Sequence, residues 1–193
     1  MELKRVAVYC ASSASMDPVY NEAAKEVGRT LAERGLGLVY GGGNVGLMGL
    51  CADAALEAGG EVIGVIPQKI VDLERAHQGL TELLVVDSMH ARKMMLASLS
   101  SACGILPGGF GTLDELFEVL TWNQLGYHRK PVGLFNVEGY YDSLLSFLDS
   151  ATERKGIQPT TRELLLDDGN VGSLLDRFAE LRLPARPKWM DKV

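Results

Sequence analysis

The sequence is short of positive charge: 19 Lys and Arg stand against 25 Asp and Glu, a formal net charge of -6. That sign argues against a chain held to nucleic acid by phosphate attraction, although one local basic pocket for a small anion is compatible with it. Cysteine is scarce. Cys10, Cys51 and Cys103 form no CxxC pair, and an odd count spread through apolar segments points to reduced, packed thiols in a cytoplasmic protein. No long apolar run occurs near the amino terminus, where MELKR is followed only by VAVYCA before SSAS intervenes. This is shorter than a secretory apolar region and far short of the ~20 apolar residues of a membrane span, so the chain is expected to be unexported and off the membrane. HExxH, GxSxG and Walker A motifs are missing, and His77, His90 and His128 have no metal-ligand spacing. There is no internal repeat, low-complexity stretch or linker, so residues 1–193 read as one domain.

What is present is an alternation. Short apolar runs at Val6–Cys10, Gly37–Tyr40, Val62–Ile66, Leu83–Val86, Gly104–Leu106 and Val132–Phe135 read as strands, several apolar on both faces. Segments of helical period lie between and after them: Asp17–Arg34, Val45–Ala58, Ser88–Ser101, Thr112–Leu125, Tyr140–Lys155 and Val171–Leu181. The first has Asp17-Pro18 in the order of a cap and first helical position, and it stops at Gly35. Alternation of this kind predicts an α/β fold, a Rossmann-like, doubly wound sheet of mainly parallel strands flanked by helices. The tail from Pro184 is expected to be irregular.

Ligands of such sheets bind beyond the carboxyl ends of the strands, which directs attention to two glycine-rich strand-to-helix loops. In YGGGNVGLMG, Gly41, Gly43 and Gly46 satisfy GxGxxG, but the acidic residue that would hold a dinucleotide ribose is missing: Glu61 begins the next strand and Ile66-Pro67-Gln68 ends it. An NAD site is therefore disfavoured, while an anion cradled by backbone N–H groups stays open beside a simple tight turn. The second loop, PGGFGTLDE, offers Gly108, Gly109 and Gly111 for a backbone nest and Thr112 as a helix cap. Glu115 then reads in two ways, as the carboxylate of a capping box with Thr112 or as a functional acid. The helix that follows sets Leu113, Leu116, Phe117 and Leu120 on one face with Glu115, Val119 and Trp122 roughly opposite, so both sides need cover, from the fold or from another subunit. In DSMHARKMM, Ser88 caps a helix whose first turns carry Arg92 and Lys93, cations that oppose the helix dipole there. They read either as a solvated basic turn or as an anion grip, with Arg92 the better suited to a two-pronged hold.

With PGGFGTLDE preceded by YGGGNVGLMG and MHARK, and followed by TWNQLG, KPVGLFN and GYYD, the chain resembles the LOG ("lonely guy") family of cytokinin-activating phosphoribohydrolases, often labelled lysine decarboxylases. The resemblance covers nearly the whole chain, and the family's PGGxGTxxE signature runs from Pro107 through Glu115. It implies hydrolysis of the N-glycosidic bond of cytokinin riboside 5'-monophosphates or AMP, giving free base and ribose 5-phosphate, by a homodimer without metal or organic cofactor. Carried over by motif, Arg92 and Glu115 are the catalytic pair and Gly109, Phe110, Gly111 and Thr112 hold the phosphate. Gly42, Gly43, Gly108, Glu74, Lys93 and Thr121 complete the substrate-binding set. The alternative is a nucleotide-binding module without catalysis, which the same loops would permit.

Overall fold

Residues 2–71 and 76–181 are described by a computed structural model; Glu74 and the tail from Pro184 fall outside them. The β-branched and apolar runs form seven strands, β1 (Arg5–Tyr9), β2 (Gly37–Tyr40), β3 (Val62–Pro67), β4 (Glu82–Val86), β5 (Ala102–Ile105), β6 (Val132–Phe135) and β7 (Leu165–Asp168). All pair in parallel in the order β4-β3-β2-β1-β5-β6-β7. Chain order reverses between β1 and β5, the switch point of a doubly wound sheet.

Helices cover both faces: α1 (Pro18–Glu33), α2 (Gly46–Glu57), α3 (Met89–Leu99), α4 (Phe110–Leu125), α5 (Asp142–Glu153), a single turn α6 (Pro159–Arg162) and α7 (Val171–Glu180). Alternation along β1 divides the core, as a strand's period of two requires. Val6 and Val8 point to the α1, α2 and α7 side with Leu31, Leu47 and Leu174, whereas Ala7 and Tyr9 join Leu96, Leu116 and Val119 on the α3 and α4 side. Asp17 caps α1 by accepting the Val19 N–H at 3.1 Å, with Pro18 in the first turn, as the sequence indicates. The three cysteines are buried and unpaired, and burial pushes the Cys51 thiol up to about 12 and that of Cys103 up to about 11. No helix among the described residues is long and apolar enough to cross a membrane.

Two expectations change. β7 was not anticipated: its LLDD sequence buries only Leu165 fully, and acidic residues at a sheet edge weaken the strand signal. The helix expected to open at Thr112 begins instead at Phe110, with Gly109 as its cap and no side-chain capping bond. Thr112 therefore stands inside the first turn, and a capping box with Glu115 is ruled out by position. The buried stripe of α4 is Thr112, Leu116, Val119 and Asn123, lying between the two faces anticipated from periodicity, and Phe117 is left exposed.

Candidate active site

At the switch point three strand-to-helix loops are knitted together by main-chain bonds. The Ala11 N–H after β1 donates to Pro107 O after β5 at 3.1 Å, and the Leu47 N–H at the start of α2 donates to Ala11 O at 3.1 Å. Gly46 has φ +59, and a Cβ there would stand 2.6 Å from Ser12 C, so the loops after β1 and β2 touch backbone to backbone.

The first glycine loop is committed to the protein itself. The Gly41 carbonyl accepts from Arg92 Nη2 at 2.7 Å, and a Cβ on Gly41 would land on that guanidinium. Gly42 O accepts the His77 N–H at 3.0 Å, and Gly43 forms an antiparallel bridge with Ala76. Both Gly42 and Gly43 are buried, docking the segment that begins at Ala76. His77 secures that segment from the other side. Its Nδ1 accepts the Gly79 N–H at 3.0 Å, so Nε2 carries the proton and donates to Asp53 on α2 at 2.8 Å.

The second loop is different. Gly108 is buried beneath the Thr112 side chain, which itself is only 4% exposed. Gly109 and Gly111, in contrast, have open space where a Cβ would be, and neither has positive φ. Phe110 between them is 94% exposed. The amides of Gly109, Phe110, Gly111 and Thr112 are the four that α-helix geometry leaves without a partner inside α4. A helix amino terminus stripped of side chains in this way suits close approach by an anion.

Arg92 and Glu115 lie on α3 and α4, the helices that follow β4 and β5. Ser88 caps α3 by accepting the Ala91 N–H at 3.1 Å, which turns Arg92 inward from the following turn. Arg92 is 5% exposed, a burial tolerable for a charge only with strong acceptors. It has them in Val65 O, reached by Nε at 3.1 Å, and Gly41 O, so its plane is locked across the ends of β2 and β3. Glu115, half-buried, is on the second turn of α4. Both charges are felt at the end of β1. Burial first, then neighbouring negative groups including Glu115, raise the Tyr9 hydroxyl and the Cys10 thiol, while Arg92 pulls both down. Their sequence neighbours tie the two helices together: Lys93 Nζ pairs with Asp114 at 2.6 Å and Glu118 at 3.3 Å. Burial works against the Lys93 ammonium, but these carboxylates prevail and its pKa is raised. Thr121 stands apart, exposed, with its hydroxyl donating to Phe117 O at 2.6 Å. Ten residues of helix separate it from Gly111, about 15 Å along the axis.

The sequence reading passed over two contributors. One is the serine-rich loop after β1, exposed at Ser12, Ser13 and Ser15, whose place beside Pro107 follows only from the strand order. The other is the pair Tyr140 and Tyr141, which reach the second glycine loop from the far side of β6. Among the described residues no group of three or more His, Cys, Asp and Glu is gathered as a metal site.

Known proteins share much of this sequence and its fold. Residues 48–177 match a protein family described as possible lysine decarboxylase. The chain is 47% identical over 177 residues to the cytokinin riboside 5'-monophosphate phosphoribohydrolase LOG7 of Arabidopsis thaliana, covering 92% of this chain and 82% of that protein. It is 46% identical over 177 residues to the probable enzyme of the same name, LOGL3, of Oryza sativa subsp. japonica, covering 92% and 84%. Among solved structures, the molybdenum cofactor carrier protein of Chlamydomonas reinhardtii superimposes with a TM-score of 0.68 at 23% identity, over 91% of this chain and 96% of that one, a likeness of fold.

Proposed function

This chain belongs to the LOG family, whose curated members are named cytokinin riboside 5'-monophosphate phosphoribohydrolases, and from that premise we propose that it hydrolyses the N-glycosidic bond of such nucleotides. AMP is proposed as a second substrate. The products are the free base and ribose 5-phosphate. The observation that carries this reading is the uncapped amino terminus of α4, with open space at Gly109 and Gly111, together with the buried Arg92 and the half-buried Glu115.

Breaking a ribosyl–adenine bond leaves positive charge on the anomeric carbon and ring oxygen and negative charge on the departing base. The amides of Gly109 to Thr112 receive the 5'-phosphate, with Gly108 giving Thr112 room to fold over the loop. Glu115 faces the sugar, orients its hydroxyls and the attacking water, and stabilises the oxocarbenium-like state. Arg92, fixed by Val65 O and Gly41 O, supplies a positive charge whose position does not change during the reaction. Gly42 and Gly43, buried against the segment that begins at Ala76, support the site from within, and Glu74 and Lys93 complete the contacts with substrate.

The decarboxylase description does not transfer. A pyridoxal Schiff base needs a lysine that can lose its proton, and Lys93 is held protonated by Asp114 and Glu118. Lys130, whose pKa burial lowers, precedes β6 and donates to Ala97 O, at the amino-terminal ends of the strands, whereas the glycine loops follow their carboxyl ends.

The working unit in this reading is a homodimer of one-domain chains in the cytoplasm. Exposed Met89, Met94, Phe117, Leu125 and Tyr127 on α3, α4 and the turn after it give a second copy an apolar face to cover. Thr121 belongs to that face and would serve the partner's site, since it is too far from its own helix terminus. Chromatography of wild-type protein incubated with AMP and with isopentenyladenosine monophosphate, without added metal, tests the activity. Release of base with ribose 5-phosphate is expected; binding without release would leave a nucleotide-binding module.

A further inference from the structure

The second glycine loop is held from behind by carbonyls, and the groups that hold it are accounted for one by one. Leu106 O accepts the Tyr141 hydroxyl at 2.7 Å, Pro107 O accepts the Ala11 N–H at 3.1 Å, and Gly108 O accepts the Tyr140 hydroxyl at 3.0 Å. Gly109 O takes the Leu113 N–H at 3.0 Å, the first bond of α4. Four successive carbonyls are thus turned toward protein donors. Because N–H and C=O of one peptide unit point in opposite directions, fixing the carbonyls of Pro107, Gly108 and Gly109 also fixes where the amides of Gly108, Gly109 and Phe110 point, whereas the Leu106 carbonyl precedes Pro107, which has no N–H.

Two of these four donors are side chains from a single turn. After β6 the chain passes through Glu138 at φ 49 and Gly139 at φ 69, successive left-handed residues. For Glu138 this conformation is costly and persists only where surrounding contacts demand it. The contacts are on hand: Asn136 accepts the Tyr141 N–H at 2.8 Å and donates to Asp142 at 2.8 Å, clamping the turn across its base. The result is that consecutive tyrosines both reach the same loop, with Tyr140 edge-on to Tyr20 at 5.3 Å and to Tyr141 at 4.9 Å.

We infer that Tyr140 is a positioning residue for substrate binding, which aims the Gly109 amide of the second glycine loop at a phosphate monoester by holding the carbonyl of Gly108, while Tyr141 anchors the chain just before the loop through Leu106 O. The inference rests on the proposed reading of that loop as the phosphate site. It assigns Tyr140 to affinity for the phosphoribosyl part, with the chemical step left to Arg92 and Glu115.

Tyr140→Phe keeps the ring and its edge-on contacts and removes one hydroxyl, so it is the variant to test. One neutral hydrogen bond is worth about a five-fold change in affinity. Calorimetry with ribose 5-phosphate and with adenine, alongside steady-state kinetics with AMP, gives the readout. Expected are a roughly five-fold weaker dissociation constant for ribose 5-phosphate, a matching rise in KM for AMP, unchanged adenine binding and an unchanged kcat. Tyr141→Phe removes a bond to the carbonyl that precedes Pro107 and so re-aims no amide; it should lower the thermal midpoint with ribose 5-phosphate affinity nearly unchanged. Unaltered ribose 5-phosphate affinity in Tyr140→Phe overturns the inference, as does equal weakening for adenine, which would indicate general loosening. Failure of wild-type protein to release base from any nucleotide would instead defeat the proposed activity, and ribose 5-phosphate binding would still decide the role of Tyr140.

Discussion

The two glycine loops look alike in sequence and serve opposite sides of the same surface. In the loop after β2 three glycines are answered by protein: Arg92 against Gly41, Ile66 and Leu83 against Gly42, Ser12 and Ser13 against Gly46. In the loop after β5, Gly109 and Gly111 are answered by nothing within 4 Å. A glycine in the first turn of an exposed helix costs about 0.5–1 kcal/mol relative to alanine, and packing does not explain that cost here. The comparison teaches that the first loop uses its glycines to admit the arginine and dock a neighbouring segment, while the second keeps its surface bare for something from outside.

If that division is right, the largest effect belongs to the acid on the helix that the second loop opens. Glu115→Gln should lower turnover by about 10²–10⁴-fold in product-release assays while AMP binding, followed by calorimetry, is retained. Gly41→Ala attacks the first loop. Its Cβ would displace the Arg92 guanidinium from Gly41 O, so turnover should fall by roughly 10²-fold and the thermal midpoint should drop as well. Gly111→Ala separates the loops most sharply, because the folded chain gains while the ligand loses. Denaturant melts should show stabilisation of about 0.5–1 kcal/mol, and kinetics a KM for AMP raised about ten-fold. Smallest is Asp53→Asn, which loosens the His77 clasp beneath the first loop; stability should fall by less than about 1 kcal/mol with KM unchanged. A rise in KM there that matched Gly111→Ala would erase the distinction.

Much of this was legible in the residues. The strands β2 and β6 fall where apolar runs begin and end, and Asp17-Pro18 marks the start of α1. The motif PGGFGTLDE was legible as a strand-to-helix loop; how it begins the helix was not. Local rules favour Thr112 as a cap because its hydroxyl can accept an amide bond, whereas the fold caps α4 with Gly109 and turns the Thr112 side chain over Gly108. Arg92 read either as part of a solvated basic turn or as an anion grip; it is buried, and two of its hydrogen bonds go to carbonyls of β3 and the β2 loop, which only strand order brings to α3. The tyrosines of GYYD were visible as letters without a role, since their reach to Leu106 and Gly108 depends on the left-handed turn at Glu138 and Gly139. β7 escaped because an edge strand ending in Asp167 and Asp168 offers neither alternation nor an apolar run.

The central claim is that the phosphate goes to the second loop and not the first. Titrating isotope-labelled protein with ribose 5-phosphate while following backbone amide resonances tests it directly. The account expects the largest shifts at the amides of Gly109, Phe110, Gly111 and Thr112, with those of Gly42, Gly43 and Gly46 nearly still. Large shifts confined to Gly42, Gly43 and Gly46, with Gly109 to Thr112 unmoved, would contradict it.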